Sequence, residues 1–288
     1  MSSDPRLRPP IIVAGMHRSG TTLMARVLRR LGVFLGWRTE GNGESRTFLE
    51  INKWLLLQAG GAWDFPPPPE RFSDPLARDL CLRFMRYAMN SVWFSWYRGR
   101  PHLRLDQSPP RFPMLWGWKD PRNTITLPLW HAIYPDAAVI YLTRHGVDVA
   151  ASLKKRHLDR TERLAASFDL RRHAFWLRLR KRRLETYPGD LEEALALWCT
   201  YQEIAREGEG LLGKRFLSIR YEDLLISPAA QIERVAAHIG LDEVPENLGD
   251  LIGSFQRDRA YAHRRDPELQ RFADANAESL ARFGYARS

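Results

Sequence analysis

Ile11-Ile12-Val13-Ala14-Gly15-Met16-His17-Arg18-Ser19-Gly20-Thr21-Thr22 decides how the rest of the chain is read. Four apolar residues, three of them β-branched, predict a short buried strand. A G-x-x-x-x-G turn follows. Two hydroxyl residues then open a run with Leu23, Val27, Leu28 and Leu31 at helical spacing, closed by Gly32 as a C-terminal cap. Strand, glycine turn and helix in this order bring backbone N–H groups to one point, where the helix dipole adds partial positive charge. Such a loop suits a tetrahedral anion, to which Thr21 and Thr22 can add hydroxyl donors. The plainer alternative is a glycine turn that only joins strand to helix. A nucleoside triphosphatase places Lys directly after the second glycine, to reach the β- and γ-phosphates. Here Thr21 occupies that position and the basic residue, Arg18, lies inside the loop. The cation therefore faces one terminal phosphate-like group, not a triphosphate.

Working outward, Ala138 to Leu142 predicts a second buried strand and Arg215 to Ile219 a weaker third, while Lys119 ends a strand-like run. Val147 to Leu153 is helical after the second strand. After the third, Ser227 can cap and Pro228 takes the first helical position. Ile232, Val235 and Ile239 then line one face before Gly240. Strands alternating with helices predict an α/β fold with a parallel sheet. The expected architecture is a P-loop-like three-layer α/β/α domain spanning 1–288, with about 154–197 forming a helical cap over the sheet's carboxyl edge. Arg144 then stands at the carboxyl end of the second strand, where ligands bind in open α/β sheets. Ser152, two turns into the next helix, can point back to the same space, so the two form a plausible anion clamp. Asp148 reads as a capping or dipole-complementing residue. His145 reads as a base or, more commonly, an exposed turn histidine.

Composition bounds the alternatives. Of the 288 residues, 44% are hydrophobic and 27% charged, which excludes whole-chain disorder and collagen-like structure. Two distant cysteines, Cys81 and Cys199, exclude a disulfide framework and a cysteine-rich zinc site. No metal-ligand cluster is apparent. No apolar run approaches the ~18 residues of a membrane span, and no signal-peptide core follows the first ten residues. The expected location is the cytoplasm. The net charge is +10, and residues 144–183 hold 13 Lys and Arg against four acids, so this stretch carries nearly the whole excess. It suits an anionic ligand, a nucleic acid or a membrane surface, or is simply a solvated helix face. The block has no nucleic-acid fold signature, so no nucleic-acid partner is expected.

At this point the residues resemble a known family. Gly15 to Thr22 resembles the 5′-phosphosulfate-binding loop of sulfotransferases, and Arg144 to Ser152 resembles their 3′-phosphate-binding motif. Arg220-Tyr221-Glu222-Asp223-Leu224 with Ser227-Pro228 is similar to a late strand-and-helix segment of the family. Trp116-Gly117-Trp118-Lys119-Asp120-Pro121-Arg122 is similar to a stretch of bacterial and tyrosylprotein-type members. The resemblance implies 3′-phosphoadenosine 5′-phosphosulfate (PAPS) as donor, adenosine 3′,5′-bisphosphate as spent product, and a hydroxyl or amine acceptor on a glycan or small molecule. It places Arg18 on the bridging oxygen, His17 to Thr22 around the 5′-phosphate, and Arg144 with Ser152 on the 3′-phosphate.

The resemblance also implies a base for the acceptor hydroxyl. Glu50, in Phe48-Leu49-Glu50-Ile51-Asn52-Lys53-Trp54, opens a helical pattern and is the first candidate; Glu44 is the second and His17 the third. Lys119 is expected to touch the transferring group. Asp120-Pro121 reads as an N-cap and first-position pair. Trp63, Phe65, Trp93, Trp96 and Trp176 are either core or acceptor lining. Trp176 stands apart, since it lies among Arg178 to Arg183 in the basic stretch. Two other readings remain beside this one: a P-loop kinase acting on ATP, disfavoured by Thr21, and an inactive relative that only binds the nucleotide.

Overall fold

The computed structural model describes residues 7–105, 108–167, 188–245 and 248–285. The chain divides into two compact units, Met1–Arg144 with Thr200–Tyr261 and His145–Cys199 with Ala262–Ser288. The first is built on four parallel strands, β1 (Ile11–Gly15), β2 (Gly117–Lys119), β3 (Ala138–Thr143) and β4 (Phe216–Arg220). Their order is β2-β1-β3-β4. Ile11 pairs with Gly117 on one side and Ala138 on the other, and Val139 pairs with Phe216. The strands fall on the apolar runs expected to form them. Because all run the same way, the loop after Gly15, Lys119 and Arg144 leave the sheet at one edge.

The α-helices up to residue 238 are, among the described residues, α1 (Thr21–Arg30), α2 (Arg46–Gln58), α3 (Pro75–Asn90), α4 (Ser95–Arg98), α5 (Asn123–Ile133), α6 (Gly146–Ser167), α7 (Leu191–Leu212), α8 (Tyr221–Ile226) and α9 (Pro228–His238), with three more following. α1 buries Met24, Ala25, Val27 and Leu28, carries Arg29 and Arg30 where its dipole favours cations, and stops at Gly32 in the left-handed region (φ 81). α9 begins at the expected Pro228, but Ser227 before it makes no side-chain capping bond.

Alternation along the strands separates two faces. Ile11, Val13, Ile140, Leu142 and Ile219 pack against apolar residues of α1, α8 and α9. On the other face, Trp118 lies flat on Phe48 of α2 (ring centroids 3.9 Å apart, planes 1° apart) and beside Trp130 of α5 at 4.6 Å. Helix, sheet and helix give the three layers of a P-loop-like fold.

Within the aromatic layer sits a polar cluster centred on Asn52 of α2. Its Nδ2 donates to Asp120 Oδ2 at 2.9 Å and Asn123 Oδ1 at 2.8 Å. Its Oδ1 accepts from Thr126 Oγ1 and Trp130 Nε1, both at 2.9 Å. Asn123 Nδ2 in turn donates to Val13 O at 2.9 Å, which ties α2 and α5 to β1. Asp120 does not serve as the expected N-cap, because α5 begins at Asn123. Its Oδ1 is engaged instead by the amide and guanidinium of Arg122, at 3.0 and 3.1 Å, within the turn that precedes the helix.

In the second unit, α6 runs unbroken through Leu153 and Lys154, where the cap was expected to begin. Residues 168–187, with Trp176 and Arg178 to Arg183, lie outside the described residues. Asp148 is in the first turn of α6, yet its carboxylate accepts the backbone amides of His263 at 2.7 Å and Ala262 at 3.2 Å. It anchors a distant turn as well as meeting its own helix dipole. His145 is not the exposed turn residue expected; it is buried and stacked on His263, ring centroids 3.9 Å apart. Among the described residues, no helix is long and apolar enough to cross a membrane.

Replacing Asn52 by Ala strips buried partners from Asp120, Asn123, Thr126 and Trp130 at once. Urea unfolding of Asn52→Ala is expected to show a loss of about 3 kcal/mol, against ~0.5 kcal/mol or less for Lys53→Ala on the exposed side of the same helix.

Candidate active site

The turn between β1 and α1 closes on itself. Ser19 Oγ and its amide both donate to Met16 O, at 2.7 and 3.2 Å. The Gly15 amide donates to Thr124 Oγ1 at 2.9 Å, fixing the loop's entry to α5. Arg18, at the outer bend, has φ 73 and an exposed side chain. Left-handed backbone costs a non-glycine residue about 1–2 kcal/mol, and strain of this kind clusters where ligands are clamped.

Gly20 also lies in the left-handed region (φ 98), and a Cβ there would stand 2.3 Å from Cδ2 of Tyr221. Tyr221, the first residue of α8, therefore presses its ring against the loop. The Arg144 guanidinium carbon lies 4.9 Å from the centre of that same ring, and Arg144 Nη2 donates to Arg259 O at 3.2 Å. Arg144 is thus brought to the loop through an aromatic ring. The sequence reading marked the block around Tyr221 but gave it no role. Its place directly after the last strand, on the edge the loop occupies, was the available signal. Ser152 lies half-buried in the second turn of α6, in the second unit.

Across the loop mouth, Thr22 Oγ1 donates to Asn42 O at 3.2 Å, and Lys119 Nζ donates to that same carbonyl at 3.2 Å. Lys119 Nζ also pairs with Glu44 Oε1 at 3.0 Å, both side chains being buried. Glu44 is returned to this position by a tight turn, in which the Gly43 amide bonds Glu40 O and the Glu40 amide bonds Glu44 O, each at 2.8 Å. Burial lowers the Lys119 pKa below its ordinary value, and the charge of Glu44 offsets this in part. Burial raises the pKa of neighbouring Asp120, opposed chiefly by Arg122.

The remaining candidates sit elsewhere. Glu50 does not open α2, which starts at Arg46; it lies on the exposed face, paired with Lys53 at 3.1 Å. The structure brings Glu44, not Glu50, to Lys119. His17 is buried edge-on against Trp63, ring centroids 4.4 Å apart. Thr21 is buried in the first turn of α1. Trp63 is core, whereas Phe65 and Trp93 are exposed and Trp96 lies under the Arg46 guanidinium at 4.7 Å.

Residues 9–246 match the model of the sulfotransferase family. No curated protein matches the chain significantly. Among solved structures, the chain is similar to a sulfotransferase domain from the curacin biosynthetic pathway (18% identity over 94% of this chain and 98% of that one, TM-score 0.48). It is similar also to a sulfotransferase from Alicyclobacillus acidocaldarius (17%, 98% and 97%, 0.48) and to sulfotransferase STF1 of Mycobacterium tuberculosis H37Rv (18%, 86% and 71%, 0.41).

The Gly20–Tyr221 contact predicts a coupled pair. Gly20→Ala is expected to lose roughly 2–4 kcal/mol in chemical unfolding, from backbone strain plus overpacking. In a Tyr221→Ala background the same change should cost only about 1 kcal/mol, because the strain alone remains.

Proposed function

The chain belongs to the sulfotransferase family, and on that premise we propose that it transfers a sulfuryl group from PAPS to a hydroxyl of a small-molecule or glycan acceptor. The observation that carries this reading is the buried Lys119–Glu44 pair, joined to the loop through the one carbonyl, Asn42 O, that Lys119 and Thr22 share. It sets a cation and a carboxylate at the mouth of an anion-binding loop. Family membership favours this reading over a kinase.

The residues suit a nucleotide charged at two separate positions. The loop glycines let backbone amides gather around one anion, and Arg144 beside Tyr221 offers a second cation on the same strand edge. The donor supplies an activated sulfuryl group whose leaving group is the 5′-phosphate. In this reading the loop amides with Thr21 and Thr22 bind that phosphate, and Arg18 stabilises the negative charge it gains. Arg144 binds the 3′-phosphate. Lys119 faces the oxygens of the transferring group. Glu44, held in place by Lys119, takes the acceptor's proton. Glu50 and His17 are given no part in proton transfer.

Transfer of radiolabelled sulfate from PAPS tests the base. Glu44→Gln should lower kcat by about 10²–10⁴ and leave adenosine 3′,5′-bisphosphate binding intact, while Glu50→Gln stays within about twofold of the parent; the reverse would move the base to Glu50. Arg18→Ala should cut kcat, and Arg144→Ala should chiefly raise the donor KM. Magnesium-dependent phosphate transfer from ATP, with none from PAPS, would put the kinase first.

Lys119 adds a pH signature. Its protonated form is the working one, and burial lowers its pKa from 10.5. The rate should therefore fall on the alkaline side before pH 10.5, and Lys119→Arg, which keeps its charge, should carry that limb upward.

A further inference from the structure

The amino edge of the sheet, away from the phosphate loop, holds a cavity of about 280 Å³. Ile11 and Ala138, the first residues of β1 and β3, form its floor with Pro9, Leu115 and Ile239. Four residue steps along β1 lead from Ile11 in this floor to Gly15, where the loop begins, about 13 Å at the strand's usual rise. The rim is basic, made by Arg8, Lys214 and Arg215. Among the described residues none of these three forms an ion pair; the polar contact of the Arg8 guanidinium is a long one, Nη1 to Gly240 O at 3.5 Å.

Two other titratable groups face the space. Asp136 is held chiefly by Arg111, which grips both carboxylate oxygens at 2.7 and 2.9 Å, and it also feels the charge of Arg215, so it offsets part of the rim and leaves Arg8 and Lys214 the less compensated cations. His238 bonds Val139 O through Nε2 at 3.0 Å, and burial holds its pKa below the ordinary value, so at neutral pH it lines the cavity uncharged. Three cations around an apolar floor repel one another unless an anion lies between them. Nothing proposed for the loop edge uses any of these residues.

We infer that this cavity is a second ligand site, binding a small organic anion whose apolar body rests on Ile11, Ala138 and Ile239 and whose acidic group meets Arg8, Lys214 and Arg215. The volume falls just under the ~300–1,000 Å³ of drug-sized pockets, which suits a one- or two-ring aryl acid and excludes a dinucleotide-sized ligand. The apolar floor argues against a bare inorganic ion. The site stands independently of the donor assigned above.

The test is a titration of the ¹⁵N-labelled full chain with naphthalene-2-sulfonate, with 2-naphthol and sodium sulfate as separate arms. The sulfonate should shift the amides of Ile11, Leu115 and Gly240, and its Kd should rise at least tenfold in the Arg8→Ala/Lys214→Ala double variant. Both arms should bind at least tenfold more weakly, the naphthol lacking the charge and the sulfate lacking the ring. Shifts confined to Gly15–Thr22 would overturn the proposal. So would an unchanged Kd in the double variant, or either arm binding as tightly as the sulfonate. The amide map decides the location even if the double variant unfolds.

Discussion

Asn52 uses both amide protons and both carbonyl lone pairs on partners from two other elements, in a layer otherwise filled by Phe48, Trp118 and Trp130. A buried polar group without its partners costs about 1–3 kcal/mol, so each partner enforces the placement of the next. Through Asn123 the cluster reaches Val13, and through Asp120 it fixes the turn beyond Lys119. The cluster thus adds a side-chain tie between the carboxyl ends of β1 and β2 to the ladder that pairs them. The position of Lys119 beside the loop follows from it.

On the loop's other side the constraint is steric. A glycine at position 20 leaves the space that Tyr221 fills, and Tyr221 in turn offers its ring to Arg144. Tyr221 opens α8 directly after β4, while Arg144 follows β3, so one ring links the ends of two adjacent strands to the turn after a third. Any bulk at Gly20 would be transmitted to Arg144.

These features differ in how far the sequence discloses them. The strands and the loop are local: an apolar run, a glycine frame and a helical repeat lie within twenty residues, and their physics needs no distant partner. The choice between Glu44 and Glu50 is not local. Glu50 looked the better candidate because it sits in a helical pattern, but helix phase turns it to solvent beside Lys53, while a tight turn that leaves no periodic signature folds Glu44 inward. Asp120 was read as structural, which its buried bonds bear out, but as a cap, which they do not; its partner Asn52 lies 68 residues away. His145 was misread as exposed, and Asp148 was read for its helix dipole but not for its second role, because their partners His263, Tyr285 and Ala262 come from the far end of the chain.

The Lys119–Glu44 pair is hard to explain as a stabilising device. Both groups are buried, and the desolvation of two charges usually matches or exceeds their attraction, so apolar replacements of similar volume are often neutral or favourable. The lowered pKa of Lys119 expresses that cost, since burial outweighs even the adjacent carboxylate. In the proposed transfer, such a pair beside the loop would meet developing charge with groups already desolvated and fixed.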